Sequence, residues 1–298
     1  MPSVAFVINP SLVRDPRRFR QRCEAAARGA GWDPVLVETS PAENGLVLAR
    51  QAVAAGASLV FAVGGDGTVR ACAQALAGTG IPLAIVPLGT ANLTARALRI
   101  PAGAGRAIDA GFRGRDRVID LATAQTGAGD VIGCFAAMAG LGLDAAVVAA
   151  ARPPDKRRLG WIAYAISGLA HLSHPATEFT VRLDGGEPLT RRARCVVVGN
   201  GGLLPGGFLL LPEARLDDGW LDVGILAPAG PLGWPRAATR VLTRSRRQDR
   251  TLERFQARRV EIAAATDLPR QIDGEVVTPG RTLTVWVCPG ALTVRQPG

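Results

Sequence analysis

A glycine-rich loop around a single carboxylate is the stretch of this chain best suited to chemistry. The loop consists of Gly64, Gly65, Asp66, Gly67 and Thr68. Apolar residues before it end a predicted strand, and a predicted helix starts at Thr68. Glycines let a ligand approach backbone amides closely, and a helix start offers unpaired N–H groups that suit phosphate. The loop therefore predicts a nucleotide-phosphate site with the carboxylate of Asp66 beside it.

Other groups of residues also place polar side chains where a ligand could meet them. They are Asn9-Pro10 and Gly89-Thr90-Ala91-Asn92 after two predicted strands, the glycine-rich segment 203–208 after Gly199-Asn200, the carboxylate-rich segment 211–222, and Asp273-Gly274-Glu275. Carboxylates and amides at such turns fit metal binding and proton transfer. Asp217-Asp218-Gly219 also fits a simple Asp-Gly turn, and this alternative stays open.

Two common phosphate-binding motifs are absent or incomplete in this sequence. A Walker-type P-loop requires GxxxxGK[ST], but the only lysine, Lys156, stands in Pro-Pro-Asp-Lys-Arg-Arg. Gly65 and Gly67 begin a GxGxxG dinucleotide fingerprint, but Arg70 occupies its third glycine position. A tight turn before a helix N-cap would also explain Gly-Gly-Asp-Gly, so the loop alone does not decide between the two.

Alternating strands and helices in the first 120 residues would position these loops. Predicted strands cover 4–8, 34–37, 59–63 and 83–86, and predicted helices cover 15–31, 42–55, 68–76 and a segment ending at 98. Short buried strands that alternate with helices predict a doubly wound parallel sheet. Ligands of such sheets bind beyond the carboxyl ends of the strands, so the loops at Asn9, 64–68 and 89–92 are expected to converge.

The rest of the chain, residues 121–287, has a different pattern. Short β-rich runs cover 131–137, 179–183, 194–199, 220–226, 259–264 and 283–287, and turn signals separate them. This spacing predicts an antiparallel sheet or sandwich. Predicted helices at 143–151, 159–172 and 234–255 interrupt the strands.

Composition restricts the partners that the chain could bind. A formal charge of +10 favours anionic partners, although a nearly lysine-free sequence is also typical of a GC-rich genome. A single tyrosine and no basic run with interleaved aromatics argue against nucleic acid. Five scattered cysteines and two histidines indicate neither a disulfide framework nor a zinc site, as expected of a cytoplasmic protein.

One apolar segment could meet a lipid. Residues 159–172 are too few to span a bilayer, and they follow Lys156-Arg157-Arg158 directly. Basic residues beside an apolar helix suit an anionic membrane surface or a lipid-tail pocket. A buried core helix explains the same segment equally well.

Taken in order, the motifs resemble the diacylglycerol kinase catalytic-domain family, which includes sphingosine-type lipid kinases. The matching pieces are Asn9-Pro10, Gly64-Gly65-Asp66-Gly67-Thr68, Gly89-Thr90-x-Asn92, Asn200-x6-Gly207, Pro212-x5-Asp218-Gly-x-Leu-Asp222, Asp273-Gly-Glu275 and Pro289-Gly-Ala-Leu292. They extend over essentially the whole chain. Each piece alone is weak, but the ordered set is specific.

The resemblance implies an α/β + β fold. It comprises an N-terminal doubly wound parallel α/β nucleotide-binding domain, similar to that of NAD kinases and phosphofructokinases, and a C-terminal antiparallel β-sandwich domain for the lipid substrate. Residues 1–120 form the first domain, with 288–298 returning to it, and 121–287 form the second. The implied activity is transfer of the γ-phosphate of ATP, with Mg²⁺, to a hydroxyl of diacylglycerol or a related lipid alcohol.

The resemblance also implies roles for individual residues. The nucleotide contacts that it implies are Asn9, Gly64, Gly65, Gly67, Thr68, Gly89, Thr90 and Asn92. Asp273 resembles the general base, with Glu275 assisting, and Asp66 resembles a catalytic or metal-linked carboxylate. Which of Asp66 and Asp273 is the base stays open, with Asp273 favoured. The implied ligands of a structural Mg²⁺ are Asp218 and the backbone carbonyls of Arg215 and Trp220.

One departure from the family pattern keeps other functions in view. Leu93 stands where many relatives have aspartate, which removes one acid from the supposed metal network and keeps open a nucleotide-binding regulator with impaired catalysis. An NAD kinase shares the Gly-Gly-Asp-Gly loop, but the Asn-Glu dipeptide expected after the second loop does not occur. A peripheral location at the inner face of the plasma membrane and a homodimer are further expectations; the acceptor lipid is not readable from the sequence.

Overall fold

The computed structural model describes residues 1–40, 43–127, 129–143, 145–146, 175–204, 209–229, 233–243 and 249–298. The chain divides into two compact units. Unit 1 comprises Met1–Ile119 and Gly290–Gly298, and unit 2 comprises Asp120–Pro289. Each unit has its own strands and its own buried core, so each is taken in turn.

Unit 1 alternates strands and helices from its first residues. Its elements are β1 (Ser3–Ile8), α1 (Pro16–Gly29), β2 (Asp33–Glu38), α2 (Gly45–Ala54), β3 (Ala57–Gly64), α3 (Asp66–Leu76), β4 (Leu83–Pro87), α4 (Leu93–Ala97) and α5 (Ala104–Arg113). Side-chain caps fix two of the helix starts. The Asp15 carboxylate accepts from the amide of Arg18 at the start of α1, and the Asn44 side chain accepts from two amides of α2.

The strands of unit 1 form a parallel sheet in the order β4-β3-β1-β2. Val294, close to the end of the chain, adds a parallel pairing with Leu83 of β4. Strands β1, β3 and β4 are almost completely buried, as expected of a parallel sheet covered by helices on both faces. The predicted doubly wound parallel α/β architecture is confirmed.

Aromatic packing fixes helix α5 on this sheet. Phe6 and Phe61, cross-strand partners on β1 and β3, stack with ring centroids 4.5 Å apart. Phe112 of α5 lies 4.9 Å from the Phe61 ring in a tilted arrangement. A Cβ at Gly111 would lie 2.2 Å from Phe61, so α5 can pack this closely only with glycine there.

Unit 2 is built mainly of antiparallel strands. Its described elements are the end of β5 (Arg115–Gln125), β6 (Val131–Phe135), β7 (Met138–Gly142), β8 (Thr177–Leu183), β9 (Leu189–Ala193), β10 (Cys195–Gly199), β11 (Leu221–Leu226), α6 (Gly233–Leu242), β12 (Leu252–Ala257), β13 (Arg259–Ile272) and most of β14 (Glu275–Gln296). Strands β12, β11, β10, β7 and β13 are neighbours in this order, and every described pairing among them is antiparallel.

Alternation along these strands separates two layers of side chains. Val196 and Val198 of β10 belong to the main core with Val223 and Ile225 of β11. Val197, between the two valines, belongs to a second apolar cluster on the opposite face. Strands buried on both faces fit a sandwich, and the predicted C-terminal β-sandwich domain is confirmed.

One segment differs from the sequence prediction. The helix predicted over 234–255 is wrong in its second half, because α6 ends at Leu242 and β12 runs over Leu252–Ala257. Every residue of β11 pairs with a residue of β12, and this tertiary pairing outweighs the helical pattern of the local sequence. The helix predicted over 159–172 and most of that over 143–151 lie outside the described residues. Within the described part of the chain, no helix is long and apolar enough to cross a membrane.

Candidate active site

The two glycine-rich loops of unit 1 touch each other through their backbones. A Cβ on Gly89 would lie 2.7 Å from the Cα of Gly65, and one on Gly64 would lie 2.4 Å from Oγ1 of Thr68. These glycines are therefore required by close approach, since any side chain would push the loops apart. Because α3 begins at Asp66, its first amides lie in the same loop. A helix leaves these amides without intrahelical partners, which suits phosphate oxygens.

Asn92 gives the second loop its shape. Its backbone adopts the left-handed conformation, with φ of 47°, which asparagine tolerates better than most residues. Its side chain accepts a hydrogen bond from the Gly89 amide at 3.0 Å and donates one to the Gly89 carbonyl at 2.7 Å. The sequence predicted Asn92 as a nucleotide contact, and the structure gives it at least this second task of closing the loop.

The carboxylate of Asp66 joins the two loops. Its Oδ2 accepts from the Asn92 amide at 2.8 Å, and its Oδ1 accepts from the Leu93 amide at 2.6 Å. Helix α4 starts at Leu93 without a cap from the side chain of Asn92, so Asp66 caps this helix from the other loop. Leu93 is buried and contributes its backbone amide to this link.

Asn9 brings a third loop of unit 1 to the same place. Its backbone amide donates to the Val63 carbonyl at 2.9 Å, one residue before the glycine loop. Its side chain accepts from the Ser11 amide at 3.1 Å and so caps the short 3-10 helix Pro10–Leu12. A Cβ on Gly65 would lie 3.7 Å from a methyl of Leu12. The structure thus brings the predicted nucleotide-binding loops of unit 1 together.

In unit 2, Asp273 lies in the tight turn between β13 and β14 and is almost completely buried. Its backbone φ is +48°, and 2% of its surface is exposed. Its carboxylate accepts hydrogen bonds from three consecutive amides, those of Ala136 at 3.1 Å, Ala137 at 3.0 Å and Met138 at 2.8 Å. The Asp273 amide in turn donates to the Met138 carbonyl at 2.7 Å. These contacts fix the orientation of the carboxylate.

Glu275 shares the turn of Asp273 but lies in a different environment. Gly274, between the two acids, has φ of +78° and donates its amide to the Gln271 side chain at 2.8 Å. Glu275 begins β14 opposite Ile272 and is exposed. One acid of the predicted pair is therefore buried and rigid, while the other is accessible to solvent.

The turn around Asp218 contains the predicted Mg²⁺ ligands. The Asp218 carboxylate accepts from the Trp220 amide at 3.1 Å, and Gly219 between them has φ of +74°. The side chain of Arg215 is exposed, and Trp220 stacks under the guanidinium of Arg258 at 4.8 Å. Among the described residues no cluster of three or more acidic, histidine or cysteine side chains could hold a metal. A set of one carboxylate and backbone carbonyls still consists of the oxygen donors that Mg²⁺ prefers, so the residues fit this ion.

Asp120, which no sequence motif predicts as a site residue, holds this turn. Its buried carboxylate accepts from the Gly219 amide at 2.7 Å, and its own amide donates to the Leu216 carbonyl at 2.6 Å. The sequence around it, Val118-Ile119-Asp120-Leu121, is a β-strand with one acid and matches no motif. The only available signal is a charged residue within an apolar run, which usually marks a polar side chain with a specific partner.

Asp222, at the end of the same motif, is a second buried acid of unit 2. Burial raises its pKa to about 6; the side chain of Gln256 opposes this rise, and the charges of Asp218 and Glu213 add to it. The Gln256 amide lies 3.4 Å from Oδ1, whereas Oδ2 has no hydrogen-bond partner among the described residues. Asp222 pairs with Gly199, so its side chain lies on the face of the sheet opposite Val223 and the main core.

Comparisons with known proteins agree with this architecture. Residues 3–124 match the diacylglycerol kinase catalytic domain, and residues 137–296 match the YegS C-terminal NAD kinase beta sandwich-like domain. A probable lipid kinase YegS-like of Pseudomonas fluorescens is 34% identical over 276 residues, which cover 91% of this chain and 88% of the relative. A protein of the same description from Pseudomonas aeruginosa is 35% identical, covering 92% and 88%.

Solved structures show the same fold at lower sequence identity. A putative diacylglycerol kinase from Bacillus anthracis superposes with a TM-score of 0.81 at 23% identity, covering 99% of this chain and 95% of that one. An NAD kinase from Archaeoglobus fulgidus in complex with ATP gives a TM-score of 0.52 at 12% identity, covering 99% and 94%. At these identities the likeness concerns the fold alone.

Proposed function

The chain belongs to the diacylglycerol kinase catalytic-domain family of lipid kinases, and from this membership we propose that it transfers the γ-phosphate of ATP to a hydroxyl of a lipid alcohol such as diacylglycerol. The observation that carries the proposal is the backbone contact between Gly65 and Gly89, which Asp66 and Asn92 fix in place. Two loops and the start of α3 then present backbone amides at one edge of a parallel sheet. Such a surface suits the phosphates of ATP.

Loop geometry supports a division of roles within unit 1. Asn9, Thr68 and Thr90 supply side chains near the phosphates, while Gly64, Gly65, Gly67 and Gly89 leave room for them. Asp66 is bound to two amides of the second loop, so its main task in this proposal is to hold both loops at a fixed spacing. Phosphoryl transfer depends mostly on positioning and charge neutralisation, so a fixed distance between the two loops is expected to increase its rate.

Asp273 is the proposed general base. Three backbone amides hold its carboxylate in one orientation. In this proposal the carboxylate accepts the proton of the lipid hydroxyl as that oxygen attacks the γ-phosphate, and Glu275 assists from the same turn. A carboxylate suffices as the base here because the transition state of phosphoryl transfer is loose.

Asp218 and the carbonyls of Arg215 and Trp220 are the proposed Mg²⁺ ligands. In this proposal the ion is structural and, when bound, holds the turn around Asp218. Asp120 keeps these donors in place through Gly219 and Leu216. The lipid acceptor belongs to a membrane, and the net charge of +10 favours peripheral contact with an anionic surface.

The test is a phosphorylation assay with labelled ATP and Mg²⁺ against diacylglycerol, phosphatidylglycerol, a sphingoid base and a glycolipid, with NAD as a further acceptor. The proposal expects label in at least one lipid, and loss of that label in Asp66→Ala and Asp273→Ala. Label in NAD alone would identify an NAD kinase. ATP binding without label in any acceptor would identify a regulator. Full activity of both variants would refute the assigned roles.

A further inference from the structure

Asn200 is completely buried at the end of β10 and makes an unusual set of hydrogen bonds. Its side-chain Nδ2 donates to the Asp120 carbonyl at 2.9 Å and to the Ala136 carbonyl at 3.1 Å. Its backbone amide and that of Gly201 both donate to the Ala137 carbonyl, at 3.0 and 2.9 Å. Two carbonyl acceptors fix which end of the Asn200 amide carries the NH₂ group.

The segment 136–138 is therefore held from both sides. Its three amides donate to the Asp273 carboxylate, and the carbonyls of Ala136 and Ala137 accept from Asn200 and Gly201. Each peptide group in this segment is planar, so a shift of one residue's carbonyl also shifts the N–H of the next residue. Any displacement of Asn200 would thus shift the donors that position Asp273.

The other branch of Asn200 leads to the turn of the proposed Mg²⁺ ligands. Its second acceptor is the carbonyl of Asp120, whose carboxylate holds Gly219 and whose amide holds Leu216. Among short side chains, only that of asparagine provides two N–H donors from one nitrogen atom. Aspartate would face both carbonyls with oxygen, and leucine would leave both without this partner, each at the cost of a buried unpaired group.

From these contacts we infer that Asn200 is a positioning residue, which fixes the carboxylate of Asp273 and the Asp218 turn relative to each other within unit 2. The inference rests on the proposed lipid kinase function for its effect on rate. Its structural part stands apart from that function, because it concerns the amides of 136–138. Asn200 itself touches no reacting atom in this account.

Two measurements on the full-length protein test the inference. The first is amide hydrogen exchange over residues 134–142 in wild type and in Asn200→Asp. The second is a double-mutant cycle in kcat that combines Asn200→Asp with Asp273→Asn. We expect exchange over this segment to accelerate at least about tenfold, since the side-chain bond to the Ala136 carbonyl is lost and a buried carboxylate oxygen faces that carbonyl instead. We expect Asn200→Asp to lower kcat about 10- to 100-fold when Asp273 is intact and less than about threefold when it is combined with Asp273→Asn.

Thr123→Val is the matched control. Thr123 is a buried polar residue of the same unit, and its hydroxyl contacts only the sulfurs of Cys134 and Cys288 among the hydrogen bonds resolved for it. The valine variant should leave both the exchange at the amides of 136–138 and kcat within about twofold of wild type, since the lost hydroxyl bonds to neither Asn200 nor Asp273.

The outcomes separate the two claims. Unchanged exchange over 134–142 in Asn200→Asp would overturn the inference, whether or not the enzyme is active. Additive effects on kcat in the double-mutant cycle would overturn the coupling to Asp273. Accelerated exchange in a protein that phosphorylates no lipid would refute the proposed function but support the structural role of Asn200.

Discussion

Oδ1 of Asp66 lies 2.6 Å from the backbone nitrogen of Leu93, and this contact ties the first glycine-rich loop to the first residue of α4. The two residues are 27 positions apart in the chain. The same carboxylate also accepts from Asn92, so one side chain sets the spacing of both loops. The sequence predicts a catalytic or metal-linked role for Asp66, and the structure adds a structural role, which is to hold the two loops together. Mutation of Asp66 can measure this structural role separately.

Asp66→Asn is expected to weaken ATP binding more than the chemical step. The amide keeps one acceptor oxygen but turns an NH₂ group toward a backbone N–H, so one loop contact becomes repulsive. We expect KM for ATP to rise about 10- to 100-fold and the free energy of unfolding to fall by about 1–3 kcal/mol. Steady-state kinetics and denaturant titration measure the two quantities.

Asp15→Ala is the matched control for this change. Asp15 also caps a helix of unit 1, but it does so for its own helix α1. It should cost about 1 kcal/mol of stability and leave KM for ATP unchanged. If both variants change KM equally, the effect of Asp66 is one of global stability, and its role between the loops is refuted.

Gly89→Ala is expected to separate the two loops. The new Cβ would meet the Cα of Gly65 at 2.7 Å and Oδ1 of Asn92 at 2.8 Å. Backbone cannot rotate away as a flexible side chain can, so we expect a loss of about 1–3 kcal/mol in stability and at least a tenfold rise in KM for ATP. Gly29→Ala, at an open helical position with no atom within 4 Å, should be neutral or stabilising. An unchanged KM in Gly89→Ala would show that the loop contact is not needed for ATP.

Asp273→Asn distinguishes a base from a purely structural acid. Loss of a general base should lower kcat by about 10²- to 10⁴-fold, with little change in KM for ATP. The asparagine NH₂ would also face backbone amides, so the melting temperature should fall. Glu275→Gln, at the exposed neighbour, should lower kcat much less and leave the melting temperature unchanged. A variant of Asp273 that melts early but keeps its kcat would refute the catalytic role.

Thiol reactivity should follow burial. Burial raises the pKa of Cys23 and of Cys72 from 9.0 to about 12, so both remain protonated in the folded protein. Cys134 and Cys288 are only half-buried and should react first with iodoacetamide at pH 8, as read by mass spectrometry. Because the folded-state pKa is raised, stability should fall as pH rises above 9, where only unfolded Cys23 and Cys72 ionise. Rapid native alkylation of Cys72 would contradict this burial.

Much of unit 1 could be predicted from local pattern. Apolar runs of strand length alternate with helical segments, and glycines mark the ends of strands, so the parallel sheet and its loops follow from residue types alone. The bond from Asp66 to Leu93 could not be predicted this way, because its acceptor is a side chain and its donor is backbone. The residue type does not reveal which backbone N–H group will donate such a hydrogen bond.

The same reason explains what was missed in unit 2. The hydrogen-bond donors to the Asp273 carboxylate are the backbone amides of Ala136, Ala137 and Met138. In the sequence these three residues are part of an ordinary apolar run. Asp120 matches no motif, yet it holds the Asp218 turn. The helix predicted over 234–255 was wrong beyond α6 because β11 supplies a strand partner that only the tertiary fold reveals.

Strand β14 has a consequence for biosynthesis. Unit 1 ends its first segment at Ile119, and its last strand pairing, Val294 with Leu83, comes from residues translated after all of unit 2. While the ribosome is still making unit 2, the edge of β4 therefore lacks this native partner, and an open edge invites pairing with other chains. Unit 1 can finish folding only after residues 290–298 have emerged, so deletion of 290–298 should yield an aggregation-prone chain rather than a smaller stable one.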